Sequence, residues 1–378
     1  MYLRYLRVRR FRNLAPIDIT LEPGAHLLFG RNAQGKTNFL EAVYHLLSGS
    51  TFRNVALRDL VQWDQPHFFV GGRLALGKET SRTIKSSYFP ASSQRRILID
   101  DQVVSVRRLR DLAHAVFLSH EDLNLVSGSP SLRRNWMDRL LTLTVPEAGG
   151  LVYRYTRAVR QRNLVLQQSG GRADTALVQS WTEPWLNLGA ALMRQHARLI
   201  DQFSPIAAGH YQRLSGQDEP LHLQYQPGWK AELGQSPGPD AEESDWREAL
   251  KVALEIERPA EQRRGFTLVG PHTDEVQLLL GASPVQRFGS QGQQRTTALA
   301  LRLAEIDWVR AVFGQEPIIL ADEIFGELDE ERRLRVWEVL RSAEQLWLTA
   351  AKGSGLEHFG TFERRFVLEN GHCSNLIA

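Results

Sequence analysis

Three short constellations in this chain of 378 residues have the side chains and spacing to hold and cleave a nucleoside triphosphate. The first, Gly30-Arg31-Asn32-Ala33-Gln34-Gly35-Lys36-Thr37, has the form G-x-x-x-x-G-K-[ST]. Gly30 and Gly35 permit the backbone angles that turn successive N–H groups toward phosphate oxygens. Lys36 can reach the β and γ phosphates, Thr37 can offer its hydroxyl to Mg2+, and a following helix adds the positive end of its dipole. The pattern alone recurs by chance. Here an apolar strand, His26 to Phe29, leads into it and a helical stretch, Phe39 to Leu47, follows, which is the context the chemistry needs.

The second constellation is Pro317-Ile318-Ile319-Leu320-Ala321-Asp322-Glu323. A buried strand ending in Asp322 places that carboxylate near Mg2+. Strand alternation predicts that Glu323 faces the other way, where it can approach the γ-phosphate and activate water. An acidic surface turn is the bland alternative, and the apolar run in front of it argues against it. The third is Phe288-Gly289-Ser290-Gln291-Gly292-Gln293-Gln294-Arg295, ahead of an amphipathic helix over 291–312. Ser290, Gly292 and Gln293 could take a γ-phosphate at that helix start, and an ordinary helix cap explains the same residues.

Pro317 lies 280 residues after Thr37, so something large is inserted between the two halves of the site. The elements predicted around the insertion are strands at 3–9, 15–21, 68–76, 82–88, 95–99 and 114–119, then mostly helical segments at 131–145, 147–169, 173–203 and 204–214. A loop rich in Gly, Pro and acid covers 228–245 and a helix follows from Trp246 to Glu257. Strands return at 266–269, 275–280, 346–349 and 365–368, with a helix over 330–343. The fold expected is an α/β P-loop head assembled from both chain ends, 1–120 and 259–378, with a mainly helical lobe and its exposed loop over 121–258.

Bulk composition fits a globular chain, with 42% hydrophobic and 24% charged residues. No run of 18 apolar residues exists and the N-terminus lacks a signal-peptide pattern, so a cytoplasmic protein without a membrane helix is expected. The single cysteine, Cys373, excludes an intrachain disulfide and a zinc-cysteine cluster. Of 46 basic residues 40 are arginine, which suits phosphate contacts, although biased genomic composition gives the same excess.

Taken together these motifs resemble the RecF family of bacterial recombination and replication-repair proteins, whose head is similar to ABC-type ATPases including the SMC and Rad-fifty proteins. The resemblance runs through FRNL at 11–14, GRNAQGKTNFLEAV at 30–43, STFR at 50–53, SPSLRRNWMDRLL at 129–141, GPH at 270–272, GSQGQQRTTALALRLAE at 289–305 and ILADEIFGELDEERR at 319–333. It implies that Gly30 to Thr37 are the Walker A loop, Asp322-Glu323 the Walker B pair, and Ser290 to Gln294 the ABC signature. Glu327-Leu328-Asp329 resembles the D-loop, and Thr349-Ala350 stands in the switch region without the histidine of many ABC proteins. His120-Glu121-Asp122 falls in the Q-loop region. GPH continues with Thr273-Asp274-Glu275 where the family commonly has Arg-Asp-Asp.

The resemblance further implies ATP and Mg2+ as cofactors, slow ATP hydrolysis, and a head-to-head homodimer with ATP sandwiched between one subunit's P-loop and the other's signature. It implies binding to double-stranded DNA and single-strand gap junctions, cooperation with RecR and RecO in loading recombinase, and a part in recombinational repair and the SOS response.

Basic placement gives the DNA candidates. Arg133, Arg134 and Arg139 open the helical lobe, and Arg154, Arg157 and Arg160 recur every three residues, an arc of ~120° on a helix, with Arg162 and Arg172 extending the charge. Such a stripe can track a DNA backbone, and a solvated helix face explains it nearly as well. Trp136, Trp181, Trp185 and Trp308 read as core rather than as a stacking platform, and His196 and His272 have no metal-site spacing. The rival functions are an ATPase subunit of a transporter, which would share all three nucleotide motifs, and a structural DNA scaffold, which would not need Lys36, Asp322 and Glu323.

Overall fold

The computed structural model describes residues 1–53, 55–77, 79–168, 175–216, 219–229, 236–326, 328–351 and 361–376. The chain divides into two compact units, one of Met1–Asp122 with Glu305–Ala378 and one of Leu123–Ala304. The head is thus built from both chain ends around an inserted, mainly helical lobe. The second boundary falls at 304/305 rather than at the expected 258/259. The reason is that strands β9 (Leu221–Gln226), β10 (Glu275–Leu280) and β11 (Ser283–Pro284) pair with one another and pack on helices of the insert.

Among the described residues, the first unit carries two six-stranded sheets. One has the order β15-β14-β3-β13-β12-β8, with β3 (Gly24–Gly30), β8 (Ala115–Ser119), β12 (Ile318–Asp322), β13 (Gln345–Ala351), β14 (Arg364–Glu369) and β15 (His372–Leu376). All its pairings are parallel except the β14–β15 hairpin. Every residue of β12 is buried, as a central parallel strand covered on both faces requires. The other sheet is antiparallel, in the order β2-β1-β4-β5-β6-β7, from β1 (Tyr2–Arg9), β2 (Ile17–Thr20), β4 (Phe68–Ala75), β5 (Ser81–Phe89), β6 (Gln94–Ile99) and β7 (Gln102–Val103).

Helix α1 (Lys36–Ser48) packs against strands of both sheets and buries residues all around its circumference, from Phe39 to Leu47. Left-handed glycines bound it, Gly35 at φ 109° and Gly49 at φ 66°. Phe39 packs on Trp347 of β13 with ring centroids 4.8 Å apart. The same core holds Leu3, Leu6 and Val8 from the alternating N-terminal strand. Truncating such a buried side chain costs about 2–5 kcal/mol, and here it would loosen the helix that carries Lys36 and Thr37.

The second unit is dominated by α4 (Pro130–Thr144), α5 (Ala148–Gln168), α6 (Thr175–Ser215) and α7 (Glu243–Arg264). The segments expected as two helices over 173–203 and 204–214 form one helix, which continues through Pro184 and Pro205. An interior proline costs about 3 kcal/mol in an isolated helix, and burial of the α6 face outweighs it. Residues 266–269 are not a strand. The N–H of Thr267 donates to Asn163 Oδ1 at 2.8 Å and that of Leu268 to Glu261 Oε1 at 2.9 Å, so side chains take the bonds a ladder would use.

Candidate nucleotide site

The glycine-rich loop leaves the carboxyl end of β3, and Asp322 and Thr349 stand at the carboxyl ends of the parallel strands β12 and β13. This is where an open parallel sheet places its ligands. Ala33 at φ 64° and Gly35 at φ 109° give the loop the left-handed turns that direct N–H groups inward. A Cβ on Gly30 would lie 2.4 Å from the Leu368 carbonyl oxygen, so close strand packing admits glycine alone.

Lys36 is 5% exposed, and its ammonium donates to the carbonyls of Gly30 at 2.9 Å and Arg31 at 3.2 Å. It also pairs with Glu323 Oε1 at 3.0 Å. Thr37 Oγ1 donates to Asp322 Oδ2 at 2.7 Å. The buried Thr349 hydroxyl donates to Asp322 Oδ1 at 2.5 Å and accepts from the Glu323 N–H at 3.0 Å. Strand alternation does not set the direction of Glu323. The strand ends at Asp322, Glu323 turns left-handed at φ 52°, and its carboxylate comes back to the phosphate-loop lysine.

Two further clamps hold this loop, and sequence reasoning missed both as site elements. The Asn370-Gly371 turn of the β14–β15 hairpin has both residues at positive φ, 49° and 80°, as a two-residue hairpin demands. The N–H of Asn370 donates to Gln34 Oε1 at 2.6 Å and that of Gly371 to the Gln34 carbonyl at 3.1 Å. On the far side, fully buried Glu41 of α1 accepts from Arg12 Nε at 3.0 Å, from Arg53 at 3.3 Å and from Thr51 Oγ1 at 2.5 Å. Asn38 bridges the same segments, donating to Asn13 Oδ1 at 2.7 Å and accepting from Arg53 at 2.8 Å. FRNL and STFR thus converge on one carboxylate four residues beyond Thr37.

Ser290, Gly292 and Gln293 lie at the start of α9 (Gln291–Phe313), in the second unit. Ser290 is exposed, its hydroxyl accepts from the Gln293 N–H at 3.2 Å, and its N–H donates to Gln293 Oε1 at 2.8 Å. That reciprocal pair is a capping box, so the residues do cap the helix while staying accessible. Of Glu327-Leu328-Asp329, Glu327 lies outside the described residues, Leu328 is buried, and Asp329 caps α10 (Glu330–Leu340) through the Arg332 N–H at 2.8 Å. In His120-Glu121-Asp122, Asp122 accepts the Ser119 N–H at 2.7 Å and closes the turn after β8.

The arginine candidates separate. Arg154, Arg157 and Arg160 are exposed along α5. Arg133 must be withdrawn from the DNA candidates: it is 3% exposed, forks onto both Glu275 oxygens at 2.7 and 2.9 Å, and donates to the carbonyls of Leu125, Val126 and Gly128. Arg134 is partly buried and donates to the Asp274 carbonyl at 2.8 Å, and Arg139 is partly buried. Arg162 is buried against Glu261 at 2.5 Å, and Arg172 lies outside the described residues.

In the segment Thr273-Asp274-Glu275 the central carboxylate is committed to the interior of this unit and its two neighbours are partly buried. Asp274 is fully buried and accepts from Tyr225 Oη and, at 2.7 Å, from the Gly228 N–H. Loss of solvation pushes its pKa up to about 6, against those two hydrogen bonds. His272 Nδ1 lies 2.6 Å from Tyr155 Oη and His196 Nε2 lies 2.8 Å from Asp138 Oδ1, which are structural bonds. Trp136 and Trp185 are core, whereas Trp181 and Trp308 are partly buried.

Comparison with known proteins adds the following. A family model described as the RecF/RecN/SMC N terminal domain matches residues 2–371. The DNA replication and repair protein RecF of Synechococcus sp. (strain JA-2-3B'a(2-13)) is 36% identical over 373 residues, which cover 96% of this chain and 93% of the relative. The protein of that name from Frankia alni is 34% identical over 93% of both chains. A solved structure of the recombination mediator protein RecF with ATP, in the RecFOR pathway, matches with TM-score 0.88 at 25% identity over 100% of this chain and 98% of the other. An Smc head bound to the C-winged helix domain of ScpA matches in fold, with TM-score 0.52 at 12% identity over 100% of this chain and 98% of that one.

Proposed function

This chain belongs to the RecF family, and on that premise we propose that it is an ATP-controlled DNA clamp of replication and recombinational repair. One observation carries the reading: Lys36, Thr37, Asp322, Glu323 and Thr349 meet at one point of the sheet through bonds of 2.5 to 3.0 Å. The relatives bear the name DNA replication and repair protein, and a matching structure holds ATP. That full-length likeness favours a repair ATPase over an ATPase subunit of a transporter. No helix among the described residues is long and apolar enough to cross a membrane.

In this reading Gly30 to Thr37 wrap the phosphates and Lys36 neutralises the β and γ oxygens. Two oxygen donors, Thr37 Oγ1 and Asp322 Oδ2, stand 2.7 Å apart beside the loop, which suits Mg2+, a hard cation that keeps waters and phosphate in its remaining positions. When bound there, Mg2+ neutralises charge building on the phosphates. Thr349 fixes both acidic residues, holding Asp322 by its hydroxyl hydrogen and Glu323 by its oxygen. Glu323 leaves Lys36 as the phosphates take the ammonium, and its carboxylate orients and deprotonates the attacking water.

Ser290, Gly292 and Gln293 act on the nucleotide of a second copy, so that ATP closes a homodimer and its slow hydrolysis releases it. Arg154, Arg157 and Arg160 contact duplex phosphates, with Arg139 and Arg134 at the edge of the stripe. RecR and RecO are the proposed protein partners, in recombinase loading and the SOS response, and the proposed compartment is the cytoplasm. Sedimentation velocity with ATP and Mg2+, with and without gapped duplex, tests the reading. ATP should drive dimerisation, gapped DNA should strengthen it, and Lys36→Ala should abolish it. Monomers in every condition would contradict the clamp.

A further inference from the structure

The turn ahead of α9 presents a large aromatic ring to solvent, and the chain around it is braced. Helix α8 (Val285–Phe288) is a single turn that follows the β10–β11 hairpin. Val285, at its start, is buried, whereas Gln286, Arg287 and Phe288 are exposed, Phe288 by 72%. Two residues after Phe288 comes Ser290, also exposed, which caps α9.

Several contacts fix this turn. The N–H of Gly289 donates to the Val285 carbonyl at 2.9 Å and closes α8. A Cβ on Gly289 would stand 2.6 Å from that same carbonyl oxygen, so the close return of the chain requires glycine. Gln294 Nε2, one turn into α9, donates back to the carbonyls of Gly289 at 3.2 Å and Val285 at 3.4 Å. From the other side, Gln286 Nε2 donates to the Gly128 carbonyl at 3.0 Å. Carbonyls at the end of α8 are thereby satisfied, and the turn is tied both to α9 and to the segment ahead of α4. A single exposed apolar side chain is ordinary on a protein surface. What sets Phe288 apart is that it stands on a turn held at both ends, two residues from Ser290.

We infer that Phe288 stacks on the base of the nucleotide bound by a second copy of this chain, so that the segment from Phe288 to Gln293 grips both ends of one ATP. The inference rests on the proposed ATP-closed dimer and names the part of the nucleotide that its signature segment reads. Reach supports it. Gly289 is extended, at φ −68° and ψ 136°, so the Cα atoms of Phe288 and Ser290 lie about 7 Å apart. The phenyl side chain lengthens that span to about that of a triphosphate with its ribose. With Ser290 at the γ-phosphate, the ring falls at the base. A phenyl face meets a base by offset stacking and offers no hydrogen bond that separates adenine from guanine. It does favour a two-ring base over a one-ring base, because more apolar area is covered. The contact forms only when two copies close. The base therefore strengthens dimerisation without strengthening capture of the nucleotide by one subunit.

The test is sedimentation velocity of the full-length protein with Mg2+ and increasing ATP or UTP, on wild type, Phe288→Ala and Phe288→Trp. The substituted residue is exposed, and thermal melting checks that the variants fold. Phe288→Ala should raise the ATP concentration for half-maximal dimerisation about tenfold, the typical loss of one stacked base. With UTP the rise should be smaller, about threefold, since a one-ring base covers less area. Phe288→Trp should keep the preference for ATP. Radiolabelled ATP should bind all three proteins equally when they are too dilute to dimerise. Unchanged dimerisation of folded Phe288→Ala overturns the inference and leaves the clamp intact. An equal loss with ATP and UTP assigns the ring to the partner's protein surface and overturns it. Weaker ATP binding by dilute Phe288→Ala places the ring at its own subunit's nucleotide and overturns it too. A wild-type protein that stays monomeric with ATP removes the clamp and this inference together.

Discussion

The two units bury polar groups for opposite purposes. In the first, buried Glu41, Lys36, Asp322 and Thr349 lie around one loop, and each holds a group that touches that loop or its helix. In the second, Arg162 pairs with Glu261 at 2.5 Å, binds Thr267 at 2.7 Å and lies over the Trp185 ring. The lesson is that burial and charge do not by themselves identify chemistry. What distinguishes the first cluster is that its groups end on an exposed glycine-rich turn, whereas the second ties α5 to α6, to α7 and to the Thr267 turn.

Three variations sharpen that contrast. Glu323→Gln keeps the shape of the side chain but removes the proposed base, and hydrolysis should fall by about 10²–10⁴ with little change in melting temperature and a longer-lived ATP dimer. Steady-state phosphate release and sedimentation read these separately, and undiminished turnover would remove Glu323 from its role. Glu261→Ala should do the reverse. It leaves Arg162 buried without its carboxylate, which costs about 3–5 kcal/mol. The site of the first unit keeps its bonds, so ATP affinity at low temperature should be unchanged. An equal loss of ATP binding in both variants would erase the contrast.

The smallest expected effect is a divergence with pH. Burial pushes the pKa of His45 and of His114, both in the first unit, down to about 4. Between that value and the usual ~6.5 the unfolded chain binds protons that the folded unit does not. Acidification from pH 7 to 5 should therefore destabilise the first unit, by roughly 1–2 kcal/mol per histidine. Asp274 has the opposite sign. Its pKa of about 6 exceeds the ordinary carboxylate value, so folded Asp274 gains a proton over the same range and offsets the destabilisation that the lowered pKa of His272 brings to the second unit. Hydrogen exchange resolved by segment should show protection of α1 falling while that of β9 and β10 holds or rises. Parallel loss in both units would show that these groups do not govern the response.

Much of the site was legible because its chemistry sits in contiguous runs. Gly30 to Thr37 and Ile318 to Asp322 declare a strand, a turn and their charge within eight residues or fewer. What stayed illegible depends on register between distant strands. The bond from Thr349 to Asp322 depends on β13 lying between β3 and β12 in a register that aligns the two residues. Strand periodicity does not give the direction of Glu323, because the strand ends one residue before it and the chain enters a left-handed turn there. Arg133 looked like a DNA contact because composition cannot reveal that Glu275, 142 residues later, arrives beside it. The break expected between 203 and 204 does not occur because α6 buries Phe203, Ala207 and Tyr211 across it.

Mixing two defective subunits tests most directly whether the P-loop of one copy works with the signature of another. Lys36→Ala and Ser290→Arg should each block ATP-driven dimerisation alone, the first by losing phosphate binding and the second by placing a bulky cation where the partner's γ-phosphate would sit. A heterodimer of the two has one site with both motifs intact and one with both defects. Analytical ultracentrifugation of the mixture, with one subunit fluorescently labelled, should show ATP-dependent heterodimers and partial recovery of ATP turnover. No heterodimers and no recovery, from subunits that each remain folded, would contradict action in trans.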